Sequence, residues 1–145
     1  MKQKLHYLFP LLILFTLIAG CVKDTSAPVV LPVGNFAGTF TRVHLNPYTN
    51  KIDTITAKLN IAMSATTGYA VTGDTTHHAA SHGSYIVDGV NIQFTDLTLP
   101  TNLSAATPVT KTHLSGLYQY VYSAPSLVIQ FANDTLVLNY TLVAQ

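Results

Sequence analysis

Apolar and polar residues alternate along most of the chain after residue 35. In residues 52–63, IDTITAKLNIAM, every second position from Ile55 to Met63 is apolar, and the positions between them are polar except for Ala62. The closing segment 135–143, TLVLNYTLV, repeats this pattern from Leu136 to Leu142. Successive side chains of a β-strand point to opposite faces, so both segments predict strands with one face in a core and one in solvent.

Turn-forming residues divide the rest of this region into further short strands. The dipeptide Asp88-Gly89, between two alternating runs, predicts a tight hairpin with Val90, Ile92 and Phe94 on one face of its second arm. About eight strands result, at residues 35–43, 52–63, 69–73, 82–89, 90–97, 116–123, 126–132 and 135–143.

Eight consecutive strands joined mostly by short turns predict an all-β, antiparallel up-and-down barrel. Closure of the sheet would also remove the exposed edges that threaten threonine- and valine-rich strands. The alternative is a two-sheet β-sandwich of the immunoglobulin type, many members of which lack the cysteine and tryptophan marks of antibody domains.

The first 21 residues follow a different pattern. Lys2 and Lys4 open the chain, and the apolar residues 5–20, interrupted by Pro10, separate them from Cys21. A helix needs about 20 apolar residues to cross a bilayer core, so this run is too short for an ordinary span. A basic start, a short apolar run and small residues at its end are typical of a cleaved signal peptide.

The sequence Ile18-Ala19-Gly20-Cys21 resembles the bacterial lipobox. The resemblance implies that the sulfur of Cys21 receives a diacylglyceryl group and that cleavage occurs before this cysteine. Residues 1–20 are then a lipoprotein signal peptide, 21–34 a lipid anchor and flexible tether, and 35–145 a single β-barrel domain. The implied partner is a membrane of the bacterial cell envelope, with the outer membrane expected and its periplasmic or surface face left open.

The remaining composition excludes one class of partner. Loss of Lys2 and Lys4 with the signal peptide leaves five basic residues against six aspartates, and the chain has no glutamate. No basic patch of the kind that binds nucleic acid can form from so few cations. Threonine is abundant, and its branched side chain favours strands.

The barrel region carries a second resemblance. The segment GNFAGTFTR at 34–42, together with the closing LSGLYQYVY and LVIQFANDTLVLNYTL, resembles small calycin-like or lipocalin-like lipoproteins. Gly38-Thr39-Phe40 is similar to the glycine-aromatic start of the first lipocalin strand, although lipocalins usually have tryptophan there and this chain has none. The resemblance implies a barrel whose interior either is filled by side chains or holds one small apolar ligand.

Large side chains predominate among the positions predicted to point inward, which favours a filled interior without excluding a small pocket. These positions are Phe36, Phe40, Leu59, Ile61, Phe94, Ile129, Leu138 and Tyr140. Tyr118, Tyr120 and Tyr122 share one strand face. Facing inward they would line a core or a ligand pocket, and facing outward they would form an aromatic stripe suited to sugars or a protein partner.

One group of residues is a candidate for metal chemistry. His77, His78 and His82 lie close together in TTHHAASHGS, with Asp74 nearby. Imidazole is a common ligand of zinc and copper, but the surrounding Ala, Ser and Gly indicate a loop without a helical frame. Standard catalytic motifs are lacking. We therefore expect no cofactor and a non-catalytic binding or structural domain, with a small-ligand carrier and a histidine-based metalloenzyme as alternatives.

Overall fold

The computed structural model describes residues 29–100 and 111–145, which form an all-β domain. The predicted signal peptide and the lipobox with Cys21 lie outside the described residues. The strands are β1 (Gly34–Asn46), β2 (Lys51–Ser64), β3 (Gly68–Gly73), β4 (His82–Val87), β5 (Asn91–Asp96), β6 (Gly116–Ser123), β7 (Ser126–Ala132) and β8 (Leu136–Ala144).

The eight strands form a closed barrel in which each strand pairs with its neighbours in chain order. Every pairing is antiparallel, and β8 closes the barrel on β1 over a register that runs from Phe36 opposite Ala144 to His44 opposite Leu136. The predicted antiparallel up-and-down barrel is confirmed, and the two-sheet sandwich is wrong because the sheet has no open edge.

The predicted inward and outward faces are also confirmed in the two strands with the clearest alternation. In β2, the apolar positions Ala57 to Met63 are buried and the polar positions between them are exposed. In β8, Leu138, Tyr140 and Leu142 are buried, while Thr141 is exposed. The pattern of period two therefore determines which side of the barrel wall each residue occupies.

The β4–β5 hairpin turns one residue later than the sequence predicts. The Asp88 amide donates to the Asn91 carbonyl, and the Asp88 carboxylate accepts the amides of Val90 and Asn91. Gly89, with φ of 98°, then occupies the turn together with Val90. Aspartate side chains stabilise turns through such bonds to following amides. The prediction that Val90 shares a strand face with Ile92 is wrong, and Val90 is 66% exposed.

The strands β1 and β8 approach each other closely at Gly38. A Cβ atom at this position would overlap the carbonyl oxygen of Thr141 on the neighbouring strand. Glycine is needed where two backbones come this close, because any larger side chain would collide with the neighbouring strand.

The barrel has two different ends. The first, here called the N-terminal end, contains the start of β1, the end of β8 and the β2–β3, β4–β5 and β6–β7 turns. The second, the loop end, contains the β1–β2 and β7–β8 turns and two longer connections, β3–β4 and β5–β6.

Residues 29–33 belong to the predicted tether, and they lie against the N-terminal end. Pro32 is buried there, and its carbonyl accepts a hydrogen bond of 2.7 Å from the Tyr85 hydroxyl. The last part of the predicted tether is therefore packed on the barrel.

Candidate functional site

The β3–β4 connection places a histidine inside the loop end of the barrel. A hydrogen bond donated by the Thr76 backbone amide to the Asp74 carboxylate starts the turn. The Ala79 amide then donates to the Thr112 carbonyl, and the Thr112 amide donates to the His77 carbonyl, at 2.8 and 3.0 Å. This short parallel bridge between the two long connections fixes the backbone on both sides of His78, whose side chain is fully buried.

The imidazole of His78 has a hydrogen-bond partner on each nitrogen. Nδ1 lies 2.8 Å from the Ala79 carbonyl oxygen, and Nε2 lies 2.9 Å from the Tyr140 hydroxyl. A carbonyl can only accept, so Nδ1 carries the hydrogen and Nε2 accepts from Tyr140 in the neutral ring. Burial lowers the pKa of His78 below its ordinary value, which favours this neutral form.

Aromatic rings surround this hydrogen bond. Phe40 packs edge-to-face on His78 with ring centroids 4.8 Å apart, and Phe40 also contacts Tyr140 at 4.9 Å. Each such aromatic pair stabilises a fold by about 0.5–1.5 kcal/mol in addition to the stabilisation that comes from burying its surface. Burial raises the pKa of Tyr140 and of Tyr118, so both phenols are neutral donors at physiological pH.

A second buried phenol holds the β5–β6 connection. The Tyr69 hydroxyl, on β3, donates to the carbonyl of Leu114, and Leu114 itself is fully buried. Burial raises the pKa of Tyr69, so its proton is retained for this bond. His78 lies on the β3–β4 connection and Leu114 on the β5–β6 connection. Their buried side chains together cover the loop end of the barrel.

The arrangement can hold two loops in place, but solvent does not reach it. A general base or a metal ligand must be accessible to substrate or ion, and His78 offers both nitrogens to protein atoms instead. The side chains of His78, Tyr140 and Phe40 therefore form a neutral, hydrogen-bonded cluster that covers the loop end of the core.

The three histidines of the predicted metal cluster lie in different environments. His77 is exposed on the connection, His78 is inside the barrel, and His82 is exposed at the start of β4 opposite Ala70. Within residues 29–100 and 111–145, no group of three His, Cys, Asp or Glu side chains is placed to share a metal ion.

The structure also brings together His113 and Asp96, a polar pair that the sequence did not predict. His113 Nδ1 lies 2.7 Å from the Asp96 carboxylate, whose side chain is fully buried. Burial by itself would raise the pKa of Asp96, but hydrogen bonds from Thr98 and His113 outweigh it and lower that pKa. The pair ties the end of β5 to the residues before β6, and only the tertiary fold reveals it.

The three tyrosines of β6 point into the barrel. Tyr118 and Tyr120 are buried and Tyr122 is half-buried, which excludes the alternative of an outward aromatic stripe. Tyr118 packs edge-to-face on Phe94, and also on Tyr140 with ring centroids 6.1 Å apart. These side chains are part of the packed interior.

Concave regions lie along the barrel wall. A groove of about 630 Å³ crosses the outer surface near the N-terminal end, where Ala62 and Ala70 leave space between larger neighbours. Another, of about 320 Å³, lies where the pairing of β6 with β7 stops at Gln119 opposite Gln130. Both of these regions are open to solvent.

Comparison of the chain with protein-family models, curated proteins and solved structures finds no match. None of the described residues belongs to a helix long and apolar enough to span a bilayer. The class of the domain therefore rests on its own geometry, that of a closed, eight-stranded antiparallel barrel with a packed interior.

Proposed function

We propose that this chain is a lipid-anchored domain of the bacterial cell envelope that acts through its outer surface, as a non-catalytic binding or structural module. The lipobox resemblance of Ile18-Ala19-Gly20-Cys21 supports the anchor. The observation that carries the rest of the proposal is the packed interior of the barrel.

The interior contains mostly apolar side chains that contact one another. Phe36, Phe40, Ile129 and Tyr140 are fully buried members of one continuous core. His78 and Leu114 cover this core at the loop end, and Pro32 lies at the other end. A barrel that carries a small ligand keeps space along its axis, so this packing favours a surface role over the carrier alternative.

The enzyme alternative receives no comparable support. His77 and His82 point to solvent on different elements, and His78 has its nitrogens occupied. A catalytic zinc needs three protein ligands around one open position. The histidine-based metalloenzyme is therefore the weaker candidate.

Membrane attachment through Cys21 is tested by comparing the wild type with Cys21→Ala in the native bacterium. We expect wild-type protein to incorporate labelled palmitate and to fractionate with membranes, because the acylated sulfur would be the attachment point. Cys21→Ala should take up no label and should accumulate as an uncleaved precursor or as a soluble form. Mature-sized Cys21→Ala that stays in the membrane fraction would refute the anchor.

The packed interior is tested with benzene as a small apolar probe. Benzene should leave the melting temperature of the wild type unchanged, because apolar cavities bind it only when they are empty. The variant Ile129→Ala opens a cavity at a fully buried position and should be stabilised by benzene, which makes it the positive control. A rise in the melting temperature of the wild type itself would revive the carrier alternative.

A further inference from the structure

Exposed apolar side chains are concentrated at the N-terminal end of the barrel. We define the apolar rim as Val29, Val30, Val33, Ile86, Val90, Val121 and Val143. These are seven of the eleven large hydrophobic residues that are exposed among the described residues, the others being Tyr48, Ile52, Leu97 and Leu117. Large exposed apolar patches mark surfaces that contact a partner or a membrane.

The members of the rim lie toward the same end of the barrel. Val90 is at the tip of the β4–β5 turn, and Val29 lies against the neighbouring Gly89. Val121 and Val143 are close to the ends of β6 and β8 that finish at the same end of the barrel. The Tyr85–Pro32 hydrogen bond holds the segment that carries Val30 and Val33 in place.

Charge is distributed in the opposite way. Among the described residues, Asp88 is the charged residue in the turns of the N-terminal end, and its carboxylate is already bonded to Asn91 and Val90. Arg42, Lys51, Asp53, Lys111 and Asp134 all lie toward the loop end. The β2–β3 and β6–β7 turns add alanine, threonine and proline. Little charge would have to be removed from water if this end met an apolar surface.

Chain length brings a membrane within reach of the rim. Val29 follows Cys21 by eight positions, and an extended chain of eight residues spans at most about 29 Å. An anchor this short keeps the N-terminal end at a high local concentration near the lipid, so weak apolar contacts suffice to orient the domain.

We infer that the N-terminal end of the barrel rests on the phospholipid bilayer, with the apolar rim at the boundary between headgroups and acyl chains. This inference rests on the proposed lipid anchor at Cys21. Apolar side chains of a protein bind this boundary by burying area a few ångströms into it. The long connections that surround His78 would then face away from the membrane.

The orientation is measured with the full, acylated protein in vesicles of phosphatidylethanolamine and phosphatidylglycerol. Val90→Cys and the matched control Tyr48→Cys, at the loop end and 94% exposed, each receive one environment-sensitive fluorophore. Acylation would leave the sulfur of Cys21 unlabelled. We expect lipids with a shallow nitroxide to quench the label at position 90 at least about twofold more than the label at position 48, because only the rim meets lipid.

A second pair of variants tests the chemistry of the contact. With the label placed at Val121→Cys, the added change Val90→Asp should reduce quenching at least about twofold, because a carboxylate opposes burial in lipid. The matched change Ile52→Asp, at an exposed position of the loop end, should leave quenching unchanged. Added salt should also have no effect, since apolar contacts are not screened.

Flotation of the vesicles separates the two proposals. Protein that floats while the labels at positions 48 and 90 are quenched equally would overturn the orientation and leave the anchor intact. Protein that fails to float would overturn the anchor and, with it, the orientation. Cross-linking of Val90→Cys between two copies, without lipid quenching, would show that the rim contacts a second copy and would also overturn the inference.

Discussion

Removal of one oxygen atom tests whether the Tyr140–His78 hydrogen bond stabilises the barrel. Tyr140→Phe keeps the buried ring and its contact with Phe40, but it leaves His78 Nε2 without its donor at 2.9 Å. A buried acceptor left without a partner costs about 1–3 kcal/mol. The ring occupies the same space, so no cavity is added to this cost.

The loss should appear as a lower free energy of unfolding in urea, followed by far-ultraviolet circular dichroism. The slope of that free energy against urea should not change, because the same surface is exposed on unfolding. For a domain of this size, each 1 kcal/mol corresponds to a fall of about 4–8 °C in melting temperature.

Tyr48→Phe makes the same chemical change at a side chain that is 94% exposed, and it should stay within about 0.5 kcal/mol of the wild type. If Tyr140→Phe lowered the free energy of unfolding as little as Tyr48→Phe does, the Tyr140–His78 hydrogen bond would not stabilise the barrel. A changed slope would mean that the loop end had opened instead of losing one contact.

Three further predictions concern packing and titration. Leu138→Ala should lower the free energy of unfolding in urea by about 2–5 kcal/mol because Leu138 is buried. Asn139→Ala should stay within about 0.5 kcal/mol of the wild type. Equal losses in the two variants would mean that the faces of β8 are reversed. Burial lowers the pKa of folded His78, so its contribution to stability is complete above the unfolded pKa of about 6.5 and is lost as pH falls below it. His78→Leu should therefore flatten the pH dependence of the melting temperature below about pH 6.5, and a variant that keeps the wild-type dependence there would contradict the assignment. Gly38→Ala should lower the melting temperature because its Cβ would overlap β8, and an unchanged value would show that the strands can separate there.

The sequence predicts the wall of the barrel well because strand alternation is a local property. Each residue from Ala57 to Met63 has its direction set by its immediate neighbours, and β8 behaves in the same way. The β4–β5 turn was misplaced by one residue, since the choice between Asp88-Gly89 and Gly89-Val90 depends on hydrogen bonds of the Asp88 side chain.

The interior and the ends could not be predicted in the same way. His78 lies 62 positions from Tyr140, and nothing in TTHHAASHGS distinguishes it from His77, which is exposed. His113 and Asp96 meet through the path of the β5–β6 connection. The apolar rim is drawn from well-separated parts of the chain, so only the closed barrel brings its members to one end.

The pairing of β1 with β8 also constrains when the domain can fold. These two strands are separated by all the others, and their nine residue pairs from Phe36–Ala144 to His44–Leu136 form only after β8 has been made. Contacts so distant in sequence form slowly, because a long loop must close first. While the chain is still emerging, β1 can pair only with β2, and the barrel remains open. If the chain is exported unfolded, as the proposed lipid anchor at Cys21 would require, β8, which completes the barrel, is also the last of the eight strands to leave the export channel.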